Sequence, residues 1–289
     1  MHKFISNLLN QIQHQNPITK VTPISGGSIN NAYYVETTKS RFFIKTNTGV
    51  SPHFFQAEAK GLQFIEESNT IDVPQVYFYN NPAPDETGVI VLEWIEGEKT
   101  AQTDEQLGHS LASLHKTTGS HFGFEEDTFI GELPHPNGLY ENWVAYYRDC
   151  RLTPQYKTGI QSGKIVGQRK RQMEKLLNHL DQWLNHSPKP SLLHGDLWGG
   201  NWIVGPAGKP YLIDPSVLYG DHLFELAFTE LFGGFSSTVY HAYEDVFPIP
   251  TYYKDIQPLY QLYYLLVHLN LFGEGYGRSV DRILKRYIG

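Results

Sequence analysis

The sequence predicts an α+β protein with two lobes, a small β-rich N-terminal lobe and a larger, mainly helical C-terminal lobe. Runs rich in aromatic and β-branched residues dominate the chain up to position 94, and helical spacing of apolar residues dominates after Gly97. The chain has 289 residues, 40% of them hydrophobic, which is enough for two lobes that share a cleft. We place the lobes at residues 1–94 and 95–289, with a hinge near residues 93–97.

The N-terminal lobe should contain strands arranged around one helix. The runs AYYVET and RFFIKT predict a β-hairpin, and PQVYFYN and GVIVLEWI predict two further strands. Between these pairs, Ser51 and Pro52 predict a helix start, because serine caps helices and proline suits the first helical position. The helix should bury one stripe of side chains, Phe55, Leu62 and Ile65.

The C-terminal lobe should begin with a helix. Thr103 and Gln106 have the spacing of a capping box, and three leucines follow on one face, Leu107, Leu111 and Leu114. The segment GFEEDTFIGELPHPNGLYENW is predicted to be loop-rich, whereas NWIV and YLID predict a strand pair joined by the turn GPAGK. The stretch LYQLYYLLVHLNLF is short for a membrane span and contains polar residues, so it predicts a buried helix.

Acidic residues outnumber basic ones. Lys plus Arg is 23 and Asp plus Glu is 30, a net charge of −7, which argues against nucleic acid as a partner. The basic segment KIVGQRKRQMEK is interpreted as the solvated start of a helix. The N-terminus lacks an apolar stretch of secretory length, and no membrane partner is expected. With Cys150 as the single cysteine, an internal disulfide is excluded and a cytoplasmic location is expected.

The stretch LLHGDLWGGNWIV places an acid and an amide between two strand-like runs. Asp196 and Asn201 are close in sequence, and Asp214 follows at the end of YLID. Converging carboxylate and amide oxygens suit Mg²⁺, whose shell is completed by water and phosphate. We therefore predict Asn201 and Asp214 as magnesium ligands and Asp196 as the base that orients an acceptor hydroxyl. The alternative is that these residues only shape turns. This alternative would explain either aspartate alone, but not Asp196, Asn201 and Asp214 in this order.

The N-terminal lobe supplies residues suited to phosphate binding. Gly26, Gly27 and Ser28 lie on a turn that can direct backbone N–H groups at phosphate oxygens. Glu58 falls on the apolar stripe of the predicted helix, where a carboxylate needs a cation. Lys45, at the end of a predicted strand, is the natural partner, because such a lysine–glutamate pair holds the α- and β-phosphates of ATP in kinases. The combined set predicts phosphoryl transfer from ATP.

The motif HGDLWGGN resembles that of the fructosamine (ketosamine) kinase family, as do GGSINNAY, LIDPSVLYG and ELAFTELFGGF. The similarity continues through TFIGELPHPNG, ENWVAYYRDCRLTPQ and LFGEGY, so it covers nearly the whole chain. The resemblance implies a protein-kinase-like fold of the aminoglycoside and choline kinase branch. It also implies ATP- and Mg²⁺-dependent phosphorylation of the sugar 3-hydroxyl of ketoamines, either small or carried on amino acids and proteins, which leads to deglycation.

The resemblance also assigns roles by position. It makes Asp196 the base, and it makes Asn201 and Asp214 the Mg²⁺ ligands. Nucleotide contacts are implied for Gly26, Gly27, Ser28, Lys45 and Glu58, and for the backbone of Glu93 and Ile95 in the hinge LEWIEG. Backbone contacts there do not distinguish ATP from GTP.

Three further residues are candidates for the substrate side. Trp198 is a candidate sugar platform, since an aromatic face suits sugar C–H groups, although a core tryptophan is the equal alternative. Asn137 and Arg151 are weaker substrate candidates, with turn or surface roles as the alternative.

A few positions depart from the family pattern. Ser28 stands where many members have cysteine, so redox control through that thiol should be absent. Asp221 and Leu223 stand where a histidine and an acidic residue are common, whereas Glu225 is retained. Altered substrate geometry near the metal aspartate therefore stays open.

The 13 histidines show no metal-binding spacing such as HExxH. His194 is expected to orient the catalytic loop by hydrogen bonding to backbone rather than to transfer protons. His115, at the end of its predicted helix, is expected to contact the C-terminal carbonyls of that helix.

Two other functions stay open at this point. A kinase of another hydroxyl substrate, such as an aminoglycoside, choline or a thiosugar, would share the loop and the hinge. A nucleotide-binding pseudokinase is the non-enzymatic alternative, although every residue expected for catalysis is present. The sequence does not indicate the length of the sugar, the kind of amine or the oligomeric state.

Overall fold

The computed structural model describes residues 2–25, 29–83 and 85–289. The predicted phosphate-loop residues Gly26, Gly27 and Ser28 lie outside these ranges. The first part of the chain contains α1 (His2–Gln11), β1 (Ile18–Ile24), β2 (Asn31–Thr37), β3 (Arg41–Thr48), α2 (Phe54–Glu67), β4 (Val76–Tyr79) and β5 (Thr87–Glu93).

These five strands form one antiparallel sheet in the order β1-β2-β3-β5-β4. The predicted β2–β3 hairpin is confirmed, with Val35 opposite Phe42. Alternation along β3 sends Phe42 and Ile44 to one face and Lys45 to the other. The first face packs against α1 and the second against α2. The sequence predicted only one helix in this lobe and missed α1. This ten-residue helix buries just three side chains, Ile5, Leu8 and Leu9.

The two predicted helix caps are wrong. Helix α2 begins after His53, and Ser51 contributes only its carbonyl, which accepts a hydrogen bond from the Phe54 N–H at 3.0 Å. The stripe of Phe55, Leu62 and Ile65 is buried as predicted. The helix at Thr103 also lacks a side-chain cap, since the Thr103 hydroxyl accepts from the Thr100 N–H at 2.9 Å and donates to the Gly208 carbonyl at 2.7 Å. Contacts outside the helix thus use the hydroxyl that the capping box would have used.

The rest of the chain is mainly helical. It begins with α3 (Thr103–Lys116), β6 (Phe122–Phe124), β7 (Thr128–Ile130), β8 (Leu133–His135), β9 (Gly138–Tyr140), α4 (Trp143–Tyr146), a π-helix (Tyr147–Leu152), α5 (Thr153–Gln161) and α6 (Gly167–Asn178). It continues with β10 (Ser191–Leu193), β11 (Trp202–Val204), β12 (Pro210–Leu212), β13 (Leu218–Gly220), α7 (His222–Thr229), α8 (Ser237–Val246), α9 (Tyr253–Phe272) and α10 (Gly277–Ile288).

Short strands frame the helices. The predicted β11–β12 pair is confirmed, with Trp202 opposite Leu212. The segment predicted to be loop-rich instead contains four strands of three residues each, β6 to β9. Two of them, β6 and β9, join β10 and β13 in a four-stranded sheet, and β7 pairs with β8 as a hairpin.

Helix α9 forms the centre of the C-terminal core, and it confirms the predicted buried helix. Its apolar residues pack against α7 and the π-helix. Fully or nearly fully buried side chains include Leu259, Leu262, Leu265, Leu266 and Leu269. Among the residues that the structure describes, no helix combines the length and the apolar character that a bilayer span requires.

Close packing of α3 on α8 depends on Gly108. A Cβ atom at Gly108 would lie 2.2 Å from the Val239 carbonyl oxygen. We expect Gly108→Ala to lower the free energy of unfolding by about 1–3 kcal/mol, because backbone atoms cannot move aside as a flexible side chain would. Thermal unfolding measures the effect. The matched control is Gly275→Ala, whose Cβ would meet nothing within 4 Å. Equal melting temperatures for the two variants would contradict the role given to Gly108.

Candidate active site

An ion cluster centred on a buried lysine joins the sheet, α2 and the segment after β12. Lys45 on β3 donates from Nζ to Glu58 Oε1 at 2.8 Å and also contacts Asp214 Oδ1. The predicted pairing of Lys45 with Glu58 is therefore confirmed. Burial lowers the pKa of Lys45, but Asp214 and Glu58 outweigh burial and hold that pKa above its usual value. The lysine is thus charged and fixed between two carboxylates.

Helix α2 is held in place by the C-terminal lobe. Lys60 donates to both carboxylate oxygens of Glu126, at 2.5 and 2.7 Å. The rings of Phe54 and Phe129 are 5.1 Å apart between centroids. This exposed ion pair contributes about 0–1 kcal/mol, so the aromatic contact is the stronger restraint. Both contacts fix the helix that carries Glu58.

The loop between β10 and β11 carries the predicted base. Asn201 Nδ2 donates to the backbone carbonyl of Asp196 at 2.7 Å and to its Oδ2 at 3.2 Å. Burial raises the pKa of the Asp196 carboxyl to about 8, and Asp214 adds to this shift while the Asn201 hydrogen bond opposes it. The charge of Asp214 thus acts on Asp196 as well as on Lys45.

His194 has its tautomer fixed by two backbone groups. Its Nε2 donates to the Ile213 carbonyl at 2.8 Å, and its Nδ1 accepts from the Asp196 N–H at 3.2 Å. Burial lowers the pKa of His194, so the ring is neutral. The expectation that His194 orients the loop through backbone bonds is confirmed. The ring ties the segment before Asp214 to the loop that carries Asp196.

Glu225 on α7 also fixes the loop between β10 and β11. The sequence did not reveal this role. The fully buried carboxylate of Glu225 accepts from the His194 N–H at 3.0 Å and from the Gly195 N–H at 2.5 Å. His115 Nε2 donates to it at 2.9 Å, and His115 Nδ1 lies 2.8 Å from the Tyr243 hydroxyl. The expected contact of His115 with helix carbonyls is therefore wrong, because its ring points into the core.

Burial raises the pKa of Glu225, but the His115 bond and the backbone N–H groups outweigh burial and hold it below the usual glutamate value. The ionised carboxylate thus has three donors.

Two oxygens in the site fit a hard cation. Because Asn201 Nδ2 points at Asp196, the amide Oδ1 points away from it. Asp214 uses Oδ1 for Lys45, and 41% of its side chain is exposed, which leaves Oδ2 available. One amide oxygen and one carboxylate oxygen are a suitable protein contribution to Mg²⁺, which keeps water and phosphate as further ligands.

The hinge begins at Glu93, the last residue of β5, and continues beyond the strand. The Glu93 N–H donates to the Gln75 carbonyl at 2.9 Å, and the Trp94 N–H donates to the Arg41 carbonyl at 3.4 Å. Ile95 is buried, and its side chain packs beside Gly205, the residue after β11. Glu93 and Ile95 therefore lie where the five-stranded sheet meets the β11–β12 hairpin. Their contact with adenine stays a prediction.

Trp198 is not a core residue, since 42% of it is exposed. Asn137 and Arg151 contact each other instead of the loop that carries Asp196. Arg151 Nη2 donates to Asn137 Oδ1 at 2.9 Å, and Arg151 Nη1 donates to the Pro136 carbonyl at 2.7 Å. Arg151 has no exposed area, and its guanidinium lies 4.8 Å from the Tyr146 ring centroid. Substrate contact of these three side chains stays a prediction. For Arg151, such a contact would require the segment of Pro136 and Asn137 to move.

Two of the positions that depart from the family pattern, Asp221 and Leu223, face the core. Asp221 caps α7 by accepting from the Leu223 N–H at 3.0 Å, and it also accepts from His186 Nε2 and the Tyr260 hydroxyl, both at 2.6 Å. Leu223 is fully buried. These residues orient the helix that carries Glu225 and do not line the cleft.

Three features together define a protein-kinase-like phosphotransferase. They are the lysine–glutamate pair between the sheet and α2, the loop that carries Asp196 and Asn201, and Asp214 after β12. The choline kinase of Streptococcus pneumoniae shows the same fold, with a TM-score of 0.66 at 19% identity over 98% of this chain and 97% of that chain.

The whole chain, residues 1–289, matches the family model for fructosamine kinase. It is 38% identical to a protein of Enterococcus faecium called a probable ketoamine kinase (93% of this chain, 95% of the relative) and 33% identical to the chloroplastic protein-ribulosamine 3-kinase of Arabidopsis thaliana (94% and 83%). A Haemophilus somnus structure to which fructosamine-3-kinase activity has been attributed has a TM-score of 0.87 at 26% identity, over 99% of this chain and 97% of that chain. The chain belongs to the fructosamine kinase family.

Proposed function

We propose that this kinase uses ATP and Mg²⁺ to phosphorylate the sugar 3-hydroxyl of ketoamines, small or carried on amino acids and proteins, and so acts in deglycation. The observation that carries the proposal is the convergence of Lys45, Glu58 and Asp214 beside the Asp196–Asn201 pair. The names of the Enterococcus and Arabidopsis relatives support ketoamines as the acceptor class. The buried single thiol of Cys150 accords with a reducing, cytoplasmic setting.

Each residue has a distinct role in the proposed transfer. Asp196 accepts a hydrogen bond from the sugar hydroxyl and takes its proton as the hydroxyl oxygen attacks the γ-phosphorus. The bond between that phosphorus and the bridging oxygen breaks, and ADP leaves with the electron pair. Lys45, fixed by Glu58, holds the α- and β-phosphates. Asn201 and Asp214 would hold Mg²⁺, which would neutralise charge on the phosphate oxygens and oppose the high pKa of Asp196.

The remaining assignments complete the proposal. Gly26, Gly27 and Ser28 bind phosphate through their backbone, and the backbone of Glu93 and Ile95 binds adenine at the junction of lobes 1–94 and 95–289. Trp198 packs on the sugar. Asn137 and Arg151 act on the acceptor side, where they brace the segment that contacts α2: Asn137 Nδ2 donates to the Glu126 carbonyl at 2.9 Å.

A coupled assay of ADP release tests the proposal. With ATP and Mg²⁺, we expect turnover on fructosyl-, ribulosyl- or erythrulosyl-amines and none above background on choline or aminoglycosides. The preferred sugar is the one with the highest kcat/KM. Turnover only on choline or an aminoglycoside would support kinase activity but reject ketoamines as the acceptor. Binding of ATP without turnover on any acceptor would indicate a pseudokinase.

A further inference from the structure

Three buried polar side chains join the β7–β8 hairpin to the segment that follows Asp214. Thr128 and His135 lie opposite each other in the hairpin, and Ser216 comes two residues after Asp214. His135 Nδ1 lies 2.6 Å from Ser216 Oγ and 3.1 Å from Thr128 Oγ1, and the two hydroxyl oxygens are 3.0 Å apart. We call Thr128, His135 and Ser216 the polar triangle. All three are nearly completely buried, so their polar atoms depend on one another for hydrogen bonds.

The backbone of Ser216 is bound to the loop that carries Asp196. The Ser216 N–H donates to the His194 carbonyl at 2.8 Å. A Cβ atom at Gly195 would lie 1.9 Å from the Ser216 carbonyl oxygen, so these two stretches of backbone are in direct contact. Ser216 therefore contacts the loop through its backbone and the hairpin through its side chain.

Asp214 has a backbone conformation that needs support from its neighbours. Its φ of 57° lies in the left-handed region, which few residues other than glycine adopt. Such a conformation persists where the surrounding contacts enforce it. Before Asp214, the Ile213 N–H donates to the Asn201 carbonyl at 3.0 Å. After Asp214, Ser216 is the residue that the loop and the hairpin both hold, so the polar triangle supports Asp214 from that side.

The other face of the hairpin contacts α2. Alternation along β7 sends Thr128 and Phe129 to opposite faces, and the Phe129 ring lies 5.1 Å from that of Phe54, between centroids. Helix α2 also packs on the segment after β12, since a Cβ atom at Gly61 would lie 2.9 Å from Pro215 Cγ. The hairpin, α2 and this segment therefore contact one another in pairs.

The His135 ring is held as a neutral group. Burial lowers the pKa of His135 well below its usual value, and the charge of Arg151 adds to this effect. The ring also stacks on Tyr263 of α9, at 5.9 Å between centroids. Because the imidazole is neutral and packed, its Nδ1 offers the two hydroxyls a fixed hydrogen-bonding partner without bringing a charge into the core.

We propose that His135 is a positioning residue for the Mg²⁺ site, because its contact with Ser216 fixes the backbone of Asp214. This role rests on the proposed function, in which Asp214 is a Mg²⁺ ligand. The hairpin holds Ser216 on one face and α2, the helix of Glu58, on the other. Since both carboxylates contact Lys45, the hairpin couples the part of the site that binds phosphate to the part that binds metal.

The test measures how much Mg²⁺ strengthens the binding of ATP. Calorimetric titration of ATP with and without Mg²⁺, in the absence of an acceptor, gives two Kd values, and their ratio is the Mg²⁺ effect. His135→Leu keeps an apolar side chain in the core but loses Nδ1, and it should reduce the Mg²⁺ effect about fivefold. The Kd for ATP without Mg²⁺ should not change, because Lys45 and Glu58 keep their contact.

Two further variants identify the contact responsible. His135→Asn can place a polar atom near the position of Nδ1, and it should restore most of the Mg²⁺ effect. Ser216→Ala removes the other partner and should reproduce the loss seen with His135→Leu. If His135→Leu does not fold, Ser216→Ala decides alone, and an unchanged Mg²⁺ effect in that variant rejects the positioning role.

The matched control is His14→Leu. His14 Nε2 lies 3.0 Å from Thr37 Oγ1, a similar contact of a histidine with a hydroxyl, but far from Asp214 in the N-terminal lobe. His14→Leu should lower the melting temperature and leave the Mg²⁺ effect at its wild-type value. The same result for His135→Leu would mean that His135 only supports the fold.

The outcome in wild type separates this role from the proposed function. If Mg²⁺ does not strengthen ATP binding to wild type, the Mg²⁺ site at Asn201 and Asp214 is rejected, and the role of His135 with it. If Mg²⁺ strengthens ATP binding but no ketoamine is turned over, only the proposed acceptor is rejected. The variants of His135 and Ser216 then still decide the positioning role.

Discussion

Asp196→Asn should reduce kcat by about 10²–10⁴-fold while the KM for ATP changes little. The asparagine keeps the shape of the side chain but cannot take the proton of the acceptor hydroxyl. ATP binding should persist, because the residues proposed to hold its phosphates, Lys45 and Glu58, keep their contact with each other and with Asp214. Steady-state ADP release on the preferred ketoamine, together with ATP titration, measures both quantities.

Stability separates this effect from a folding defect. Since the fold raises the pKa of Asp196 from 3.8 to about 8, the carboxyl lowers stability progressively as the pH rises from 3.8 to about 8, where the loss levels off. Removing the charge should therefore leave the melting temperature unchanged or raise it. The matched control is Asp245→Asn on the exposed face of α8, which should retain full activity. A variant that loses activity together with stability would point to a structural role for Asp196.

The part of the site that could be predicted is the part with a local signal. Glu58 lies on an apolar helical stripe, so a cation had to be near it, and the strand lysine Lys45 was the available one. The β2–β3 and β11–β12 hairpins follow from short connections between strand-like runs. The loop of Asp196 and Asn201 is contained within one stretch of sequence. These features need no knowledge of distant contacts.

The missed features depend on distant contacts or on very short elements. The strands β6 to β9 have three residues each, too few for alternation to show. The hydroxyl of Thr103 bonds to Gly208, which belongs to a hairpin far along the chain. A local capping pattern could not compete with a partner that is invisible in the sequence.

A signal for the Glu225–His115 pair was nevertheless present. Glu225 lies in HLFELAFT, where its neighbours are almost all apolar, and His115 lies one helical turn beyond the buried Leu111. The reasoning applied to Glu58 applies here too, because a carboxylate or an imidazole inside an apolar stripe needs a buried partner. The sequence does not show that the helices of His115 and Glu225, which lie far apart in the chain, come together in the fold.

The same pair gives the second large prediction. Glu225→Gln should lower the free energy of unfolding by about 2–4 kcal/mol and reduce kcat at least tenfold. The glutamine has one acceptor oxygen for three donors, the N–H groups of His194 and Gly195 and the Nε2–H of His115. Its NH₂ group must face one of these donors. The loop then shifts, and small displacements of a catalytic group cost a large part of the rate.

Thermal unfolding and ADP release well below the melting temperature measure the two effects separately. Glu244→Gln on the exposed face of α8 is the matched control and should be neutral in both assays. His115→Gln combined with Glu225→Gln should lose less stability than the sum of the single losses, because the two side chains share one hydrogen bond. Strict additivity would mean that the pair is not coupled. Unchanged kcat in a destabilised Glu225→Gln variant would mean that Glu225 supports the fold but does not position Asp196.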